Sequence, residues 1–356
     1  MKTTVNSLGF KGGQMNFTNE ELIKLFSKQK LPIITSNINY WFIRTSGGEN
    51  FENFYFGNYV AIGWDEINDL NDITNLNFDD LKKTVEELYP EDTKPGSTAA
   101  QIRKFVCDIK IGDYVLIPGY NCDRIAIGLV TSDVYIYEPT EQQKIDSMFD
   151  GEEITFRKRH NVSWISDRPF DRYELDPMLI PIIYSYGTIV CANPYSDFIN
   201  RTLYSCYLQD NELHAIFDVS RQDNVPVYDF YNFIDTIFES VDIYNQLYNT
   251  PIDKKEFSIK ASINSPGPVE IITCATSAFI VLSSIALFIN GAKVKFSYDI
   301  FKIVKGEVDI DSPGLIDKLN QHSKIATDNQ VKISEVEAKL NESKKKLKLE
   351  KKRNKK

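Results

Sequence analysis

Between Ile271 and Ile289 the chain reads IITCATSAFIVLSSIALFI, 19 residues without a single charge. A helix rises about 1.5 Å per residue, so this run has about the length that crosses a bilayer core. Three readings compete: a transmembrane or conditionally inserting helix, a buried core helix, and an interfacial helix. Five Ser and Thr residues lower its hydrophobicity and keep the core helix in play. The interfacial reading needs a charged face, which the segment lacks. On a helical wheel Glu270, Thr273, Thr276, Ser277, Ser283 and Ser284 fall within an arc of about 140°. Such a stripe, with Glu270, Thr273, Ser277 and Ser284 as its main members, predicts helix–helix packing or a pore lining in a homo-oligomer. The alternative is that each hydroxyl bonds back to the preceding turn. Lys293, Lys295, Lys302 and Lys305 follow closely, which opposes the tendency of basic residues to stay inside. A hairpin, a re-entrant element or a helix released by a trigger therefore fits better than a permanent single span.

The charge is divided unevenly. Beyond Asn290 there are 17 Lys and Arg against 10 Asp and Glu, whereas the preceding residues hold 24 against 40. So acidic a body does not attract nucleic-acid backbone in bulk, and any contact there has to be local. The tail KKKLKLEKKRNKK suits anionic lipid, nucleic acid or the acidic body itself, or serves as a solvated tail. Five cysteines without a CxxC pair and three scattered histidines argue against zinc and for reduced thiols in a cytoplasmic protein. The N-terminus lacks the apolar core of a signal peptide. There is no GxSxG, no HExxH and no phosphate-loop glycine pattern, so the expectation is a protein that is not an enzyme, with no metal and no cofactor.

Along the chain the expected order is a lead-in (1–37), a recognition domain (38–222), an amphipathic helix with connector (223–262), the apolar helix with a short β segment (263–314) and a basic helical tail (315–356). Thr18, with Glu21 three residues on, opens a short helix. INYWFIRT, NYVAIGW, IGDYVLIPGY, RIAIGLVTSDVYIYE and FRKRHNVSWI read as strands, being β-branched, aromatic and bounded by turn residues. LNFDDLKKTVEELYP carries Leu81, Val85 and Leu88 at helical spacing. Ser97-Thr98 is placed as the start of a second helix. LIPIIYSYGTIVC and ELHAIFDV read as further strands, and VPVYDFYNFIDTIFESVDIYNQL as a packed helix. Ser265 and Ser312, each before Pro-Gly, suit helix starts, and KVKFSYDIFKIVKGEVDI suits short strands. Ile333, Val336, Leu340 and Leu347 form a weak heptad in which Ser343 is out of place; a frayed basic helix is the competing reading. Without recurring βαβ crossovers, the class is α+β, a strongly curved sheet or barrel flanked by helices.

The segment YWFIRTSGGENFENFYFGNYVAIGWDEINDL (40–70), with AAQIRKFVCDIKIGDYVLI, AIGLVTSDVYIY and RHNVSW after it, resembles the PUA-like superfamily. It is most similar to the EVE-type domain at the N-terminus of Mrr-type restriction proteins, over about residues 38–165. The resemblance implies a PUA/EVE-like curved β-barrel whose aromatic pocket accepts a modified or flipped base. Such a base needs a π-face to stack on and polar groups for its Watson–Crick edge. On that basis Tyr40, Trp64 and Trp164 are the candidate faces, Arg44, Asn58 and Gln101 the edge readers, and Arg103 with Lys104 the phosphate contacts. In the first strand Tyr40, Phe42 and Arg44 alternate with Trp41 and Ile43, so one set should face the core and the other the pocket or solvent. No nuclease-like region follows, so the relatives' restriction activity is not carried over.

Joined together, these features predict a bacterial antiphage effector. Its recognition domain binds a nucleotide, DNA oligomer or modified base and controls an oligomeric, membrane-permeabilising or channel-forming helix at the inner membrane. The architecture is similar to nucleotide-controlled effectors of Hailong-type defence. The alternative is a soluble oligomeric reader of modified nucleic acid that recruits a nuclease, a partner enzyme encoded nearby.

Overall fold

The computed structural model describes residues 17–28, 31–150, 155–220, 223–261, 267–274, 276, 278–289 and 313–350. The expectations at Ser265, Ser277, Ser312, 293–310 and the last six residues lie outside these. The described residues divide into two compact units, one of residues 37–203 and one of residues up to Ser36 together with 204–350.

In the 37–203 unit, the sheet runs in the order Tyr59–Ile62, Lys158–Trp164, Arg124–Val130, Tyr114–Pro118, Tyr40–Ile43, Ile189–Cys191. Two-residue strands at Tyr135–Ile136 and Phe170–Asp171 join it from the side. Lys158–Trp164 pairs with Tyr59–Ile62 through its first half and with Arg124–Val130 through its second. That offset curls the sheet, and the described pairings leave it open between Tyr59–Ile62 and Ile189–Cys191. It is a half-barrel rather than a closed one. Gly128 lets the two long strands approach, since a Cβ there would lie 2.3 Å from Val162 Cγ1.

One face of this sheet, through Trp41, Ile43, Val115 and Ile117, packs on Phe51, Phe54, Leu81, Val85 and Ile102 of the flanking helices. In the Phe78–Leu88 helix Asn77 caps the start by accepting from the Asp80 N–H at 2.9 Å, while Leu81 and Val85, one turn apart, turn inward. The next helix starts at Pro95, not at Ser97-Thr98: proline's fixed φ suits the first helical position, and the hydroxyls fall inside. LIPIIYSYGTIVC also departs from expectation. Ile180–Ile183 is helical and only Ile189–Cys191 pairs in the sheet, because the Pro177 and Pro181 region favours turns over a ladder.

In the second unit the order is Ile33–Ile34, Cys206–Gln209, Glu212–Val219, Gly267–Thr273, Phe257–Ala261, with Leu349–Glu350 on the end of Glu212–Val219. Strands 206–219, expected within the 38–222 domain, thus pair inside this unit. Thr18 and Glu21 form the expected reciprocal cap: Thr18 N–H donates to Glu21 Oε2 at 2.8 Å, and Glu21 N–H to Thr18 Oγ1 at 3.2 Å.

The apolar run is not one helix. Its first residues belong to the Gly267–Thr273 strand, and only Ala278–Ile289, 12 residues, is helical. At about 18 Å this is far short of a bilayer core, and no helix among the described residues is long and apolar enough to cross a membrane. Phe279, Val281, Leu282 and Ile285 are buried among Phe233, Ile237, Val241, Ile333 and Leu340. A helix apolar on all sides is what a domain centre requires. The heptad helix, Gln330–Leu347, packs on this core with Ile333, Val336, Leu340, Ser343 and Leu347 all buried, so it is not a frayed basic helix. Lys344 Nζ donates to the Ile289 carbonyl and caps the apolar helix at its C-terminal end.

Candidate functional site

Within the sheet of the 37–203 unit, Tyr40–Ile43 and Tyr114–Pro118 form the one described parallel pair, with Tyr40 opposite Tyr114 and Phe42 opposite Leu116. Parallel strands end side by side, so the loops that follow them are neighbours. Thr45 Oγ1, fully buried, fastens them by donating to the Pro118 carbonyl at 2.6 Å. Both loops then enter left-handed backbone: Ser46 (φ 51°), Gly47 (72°) and Gly48 (106°) in one, Asn121 (51°) and Cys122 (53°) in the other. A Cβ on Gly48 would stand 2.4 Å from Tyr120 Cα, so this approach demands glycine. Left-handed non-glycine residues cost of order 1 kcal/mol each and cluster where a surface has been shaped for binding.

A third loop, 183–189, is held against this end from several directions. Arg44, just past the first strand, donates through Nη2 to the Ile183 carbonyl at 3.1 Å and to that of Ser185. Its own N–H donates to the Thr188 carbonyl at 2.9 Å. Gln101 Oε1 accepts from the Ile189 N–H at 2.6 Å, and Lys104 Nζ reaches the Ile189 carbonyl at 3.5 Å. Arg172 Nη2 donates to Tyr184 Oη at 3.2 Å. The loop so fastened displays Tyr184, 67% exposed, and Tyr186, 98% exposed, while Tyr120 on the neighbouring loop is 68% exposed. Arg44, Lys104 and Arg172 have no carboxylate partner among the described residues, although residues 37–203 hold 27 Asp and Glu against 15 Lys and Arg. Burial pushes the Cys122 thiol above its ordinary range, opposed by the Arg44 and Arg172 guanidinium groups.

The residues expected in the pocket are thus partly brought together, in altered roles. Arg44 and Gln101 meet at the 183–189 loop, but as its fasteners. Tyr40 is core: its ring stacks on Tyr114 at 4.8 Å and its hydroxyl donates to Asn200 Oδ1 at 2.9 Å. Period-two alternation does not separate pocket from core in this strand, because Tyr40–Ile43 is buried on both faces. Asn58 is the left-handed cap of the Phe51–Gly57 helix, a position asparagine tolerates. Trp64 is half-buried on the helical core with φ 58°, and its carbonyl accepts from Lys158 Nζ at 2.8 Å. Trp164 is half-buried too, its indole N–H donating to the Tyr55 carbonyl at 2.7 Å. The Arg103 side chain, half-buried, has no hydrogen-bond or ion-pair partner among the described residues. Sequence reasoning passed over Tyr120, Arg172, Tyr184 and Tyr186. The available signal was composition: each of these tyrosines lies within a residue of a glycine or in a Tyr-Ser-Tyr-Gly turn, where an aromatic has no core to enter.

In the second unit the expected hydroxyl stripe dissolves. Glu270 and Thr273 are on a strand, and Glu270, fully buried, receives His214 Nδ1 at 2.6 Å and the Tyr207 hydroxyl at 3.4 Å. Ser283 and Ser284 donate back to the Phe279 and Ile280 carbonyls at 2.6 and 2.7 Å. Both of these hydroxyls are satisfied inside their own helix, as the competing reading of the stripe requires.

Residues 41–178 match a family described as a domain of unknown function (DUF8426). No curated protein matches the chain. Among solved structures, the chain is similar to the YTH domain of the Zygosaccharomyces rouxii MRB1 protein, solved in complex with N6-methyladenosine RNA. The two are 14% identical with a TM-score of 0.25, over 49% of this chain and 90% of that one. None of these comparisons names an EVE-type or Mrr-type protein.

Proposed function

We propose that the 37–203 unit is a PUA/EVE-like nucleic-acid reader that takes an unpaired, modified base at the carboxyl end of its parallel strand pair. The observation that carries this reading is the 183–189 loop, fastened by Arg44, Gln101 and Lys104 while leaving Tyr186 almost wholly in solvent. Rigid, solvent-facing tyrosines offer π-faces for bases at little ordering cost. The Arg44, Lys104 and Arg172 side chains, without carboxylate partners among the described residues, supply phosphate contacts in an otherwise acidic unit. This keeps the alternative stated above, a reader of modified nucleic acid that works with a separate enzyme. The membrane-permeabilising effector is set aside, since its helix is a core helix of the second unit.

The test is anisotropy of short labelled single-stranded DNA and RNA, and of nucleotides, on the full chain. Replacing Tyr184 and Tyr186 by alanine should weaken binding by at least tenfold, since stacking contributes about 1–3 kcal/mol per base. Arg172→Ala should flatten the salt dependence by about one counterion. Unchanged affinity in a folded double variant would place the interface elsewhere.

A further inference from the structure

His160 is buried on the Lys158–Trp164 strand, and the reading above gives it no part. Its ring nitrogens both face carbonyl oxygens: Nε2 lies 3.0 Å from that of Phe105, and Nδ1 3.1 Å from that of Ser132. A neutral imidazole has one N–H, so one of these contacts sets a lone pair against a lone pair; an imidazolium donates to both. Phe105 belongs to the π-helical turn Lys104–Asp108, which ends the helix begun at Pro95. The carbonyl that His160 meets is therefore one of those left over at a helix C-terminus, where a positive charge is favoured. The same last turns carry Gln101 and Lys104, which fasten Ile189 of the tyrosine loop.

We propose that His160 is a proton-sensitive cap that tightens the Gln101–Lys104 hold on the 183–189 loop when it becomes charged. Burial holds the imidazole below its ordinary range, and the two carbonyls and Asp133 oppose that, while Lys110 adds to it. The helix end also brings Lys104, turned to the Ile189 carbonyl, with half-buried Cys107 and exposed Asp108. Next along the strand, the Arg159 guanidinium is engaged by Tyr59 and Tyr137, 4.1 and 3.6 Å from their ring centroids. Neutral at pH 7, the ring gains its second bond as pH falls. The consequence for ligand binding rests on the nucleic-acid reading; the effect on the loop does not.

The experiment is a pH titration of the full chain without ligand, following the His160 ring by NMR and amide hydrogen exchange at Ile189, corrected for intrinsic rates. Exchange at Ile189 should slow by about tenfold, or about 1.4 kcal/mol, with the midpoint of the ring titration. His160→Gln should abolish that dependence. A ring that titrates while Ile189 exchange stays constant overturns the proposal, and so does a ring that stays neutral down to the pH of acid unfolding. Oligonucleotide affinity, measured in parallel, reports on the reader function separately: its absence with a responsive loop removes the function and leaves the cap.

Discussion

Lys158 offers the sharpest quantitative test of the packing around the half-barrel. Its side chain is wholly buried, with Nζ donating to the Trp64 and Ile67 carbonyls at 2.8 and 2.9 Å and lying 3.9 Å from Asp65 Oδ1. Burial lowers its pKa to about 8 from the ordinary 10.5, with Asp65 opposing. A base whose folded pKa lies below its unfolded one binds fewer protons when folded, so stability rises with pH between those two values. Between pH 7.5 and 9.5 the gain should be about 2 kcal/mol. It should disappear again as pH falls through about 8. Above that window the trend should reverse, because burial raises Tyr40 and Tyr114 well above the usual tyrosine range and the unfolded chain loses those protons first. All three tryptophans, Trp41, Trp64 and Trp164, lie in the 37–203 unit, so urea unfolding followed by tryptophan fluorescence reports this unit alone. Lys158→Met, which strands two buried carbonyls, should cost about 2 kcal/mol at pH 7. Its deficit should widen by a further 2 kcal/mol or so at pH 9.5. A deficit that stays constant across this range would refute the argument, since a charge already comfortable in its site has no proton to lose there.

Two further outcomes follow for the second unit. Leu282→Ala should destabilise it by about 2–5 kcal/mol, as a cavity in a packed core does, read as faster hydrogen exchange along Glu212–Val219. Leakage of dye from anionic liposomes by the full chain would instead return the apolar segment to the membrane. Glu270→Leu should cost about 1–3 kcal/mol, because His214 Nδ1 and the Tyr207 hydroxyl lose this buried acceptor. The double change with His214→Phe should recover much of that in the same exchange measurement, and a double variant as unstable as the single one would show that the pair is not what matters.

Much of the secondary structure was legible locally. The Thr18–Glu21 cap, the Asn77-started helix and the β-branched strands at 40–43, 59–62 and 114–118 each depend on interactions within a few residues, which composition and spacing record. The site was legible only in part. Arg44 and Gln101 were identified as polar groups that converge, yet their partners are backbone carbonyls and an N–H of residues more than 80 positions away, and no side-chain pattern announces a backbone partner. Tyr40 misled because period-two alternation separates core from solvent only in a sheet with one covered face, and this strand is covered on both.

The apolar run marks the same boundary. Its composition by itself required a place away from water, and that requirement holds: Phe279 to Ile289 is almost entirely buried. Which apolar surroundings would receive it, lipid or protein, was undecided at the level of sequence, because both exclude water equally. The tertiary structure decided it by pairing Gly267–Thr273 with strands on either side and enclosing the remaining three helical turns between Val227–Tyr248 and Gln330–Leu347. Ten of that helix's twelve residues are buried in the protein's own core, which takes the place a bilayer would have filled.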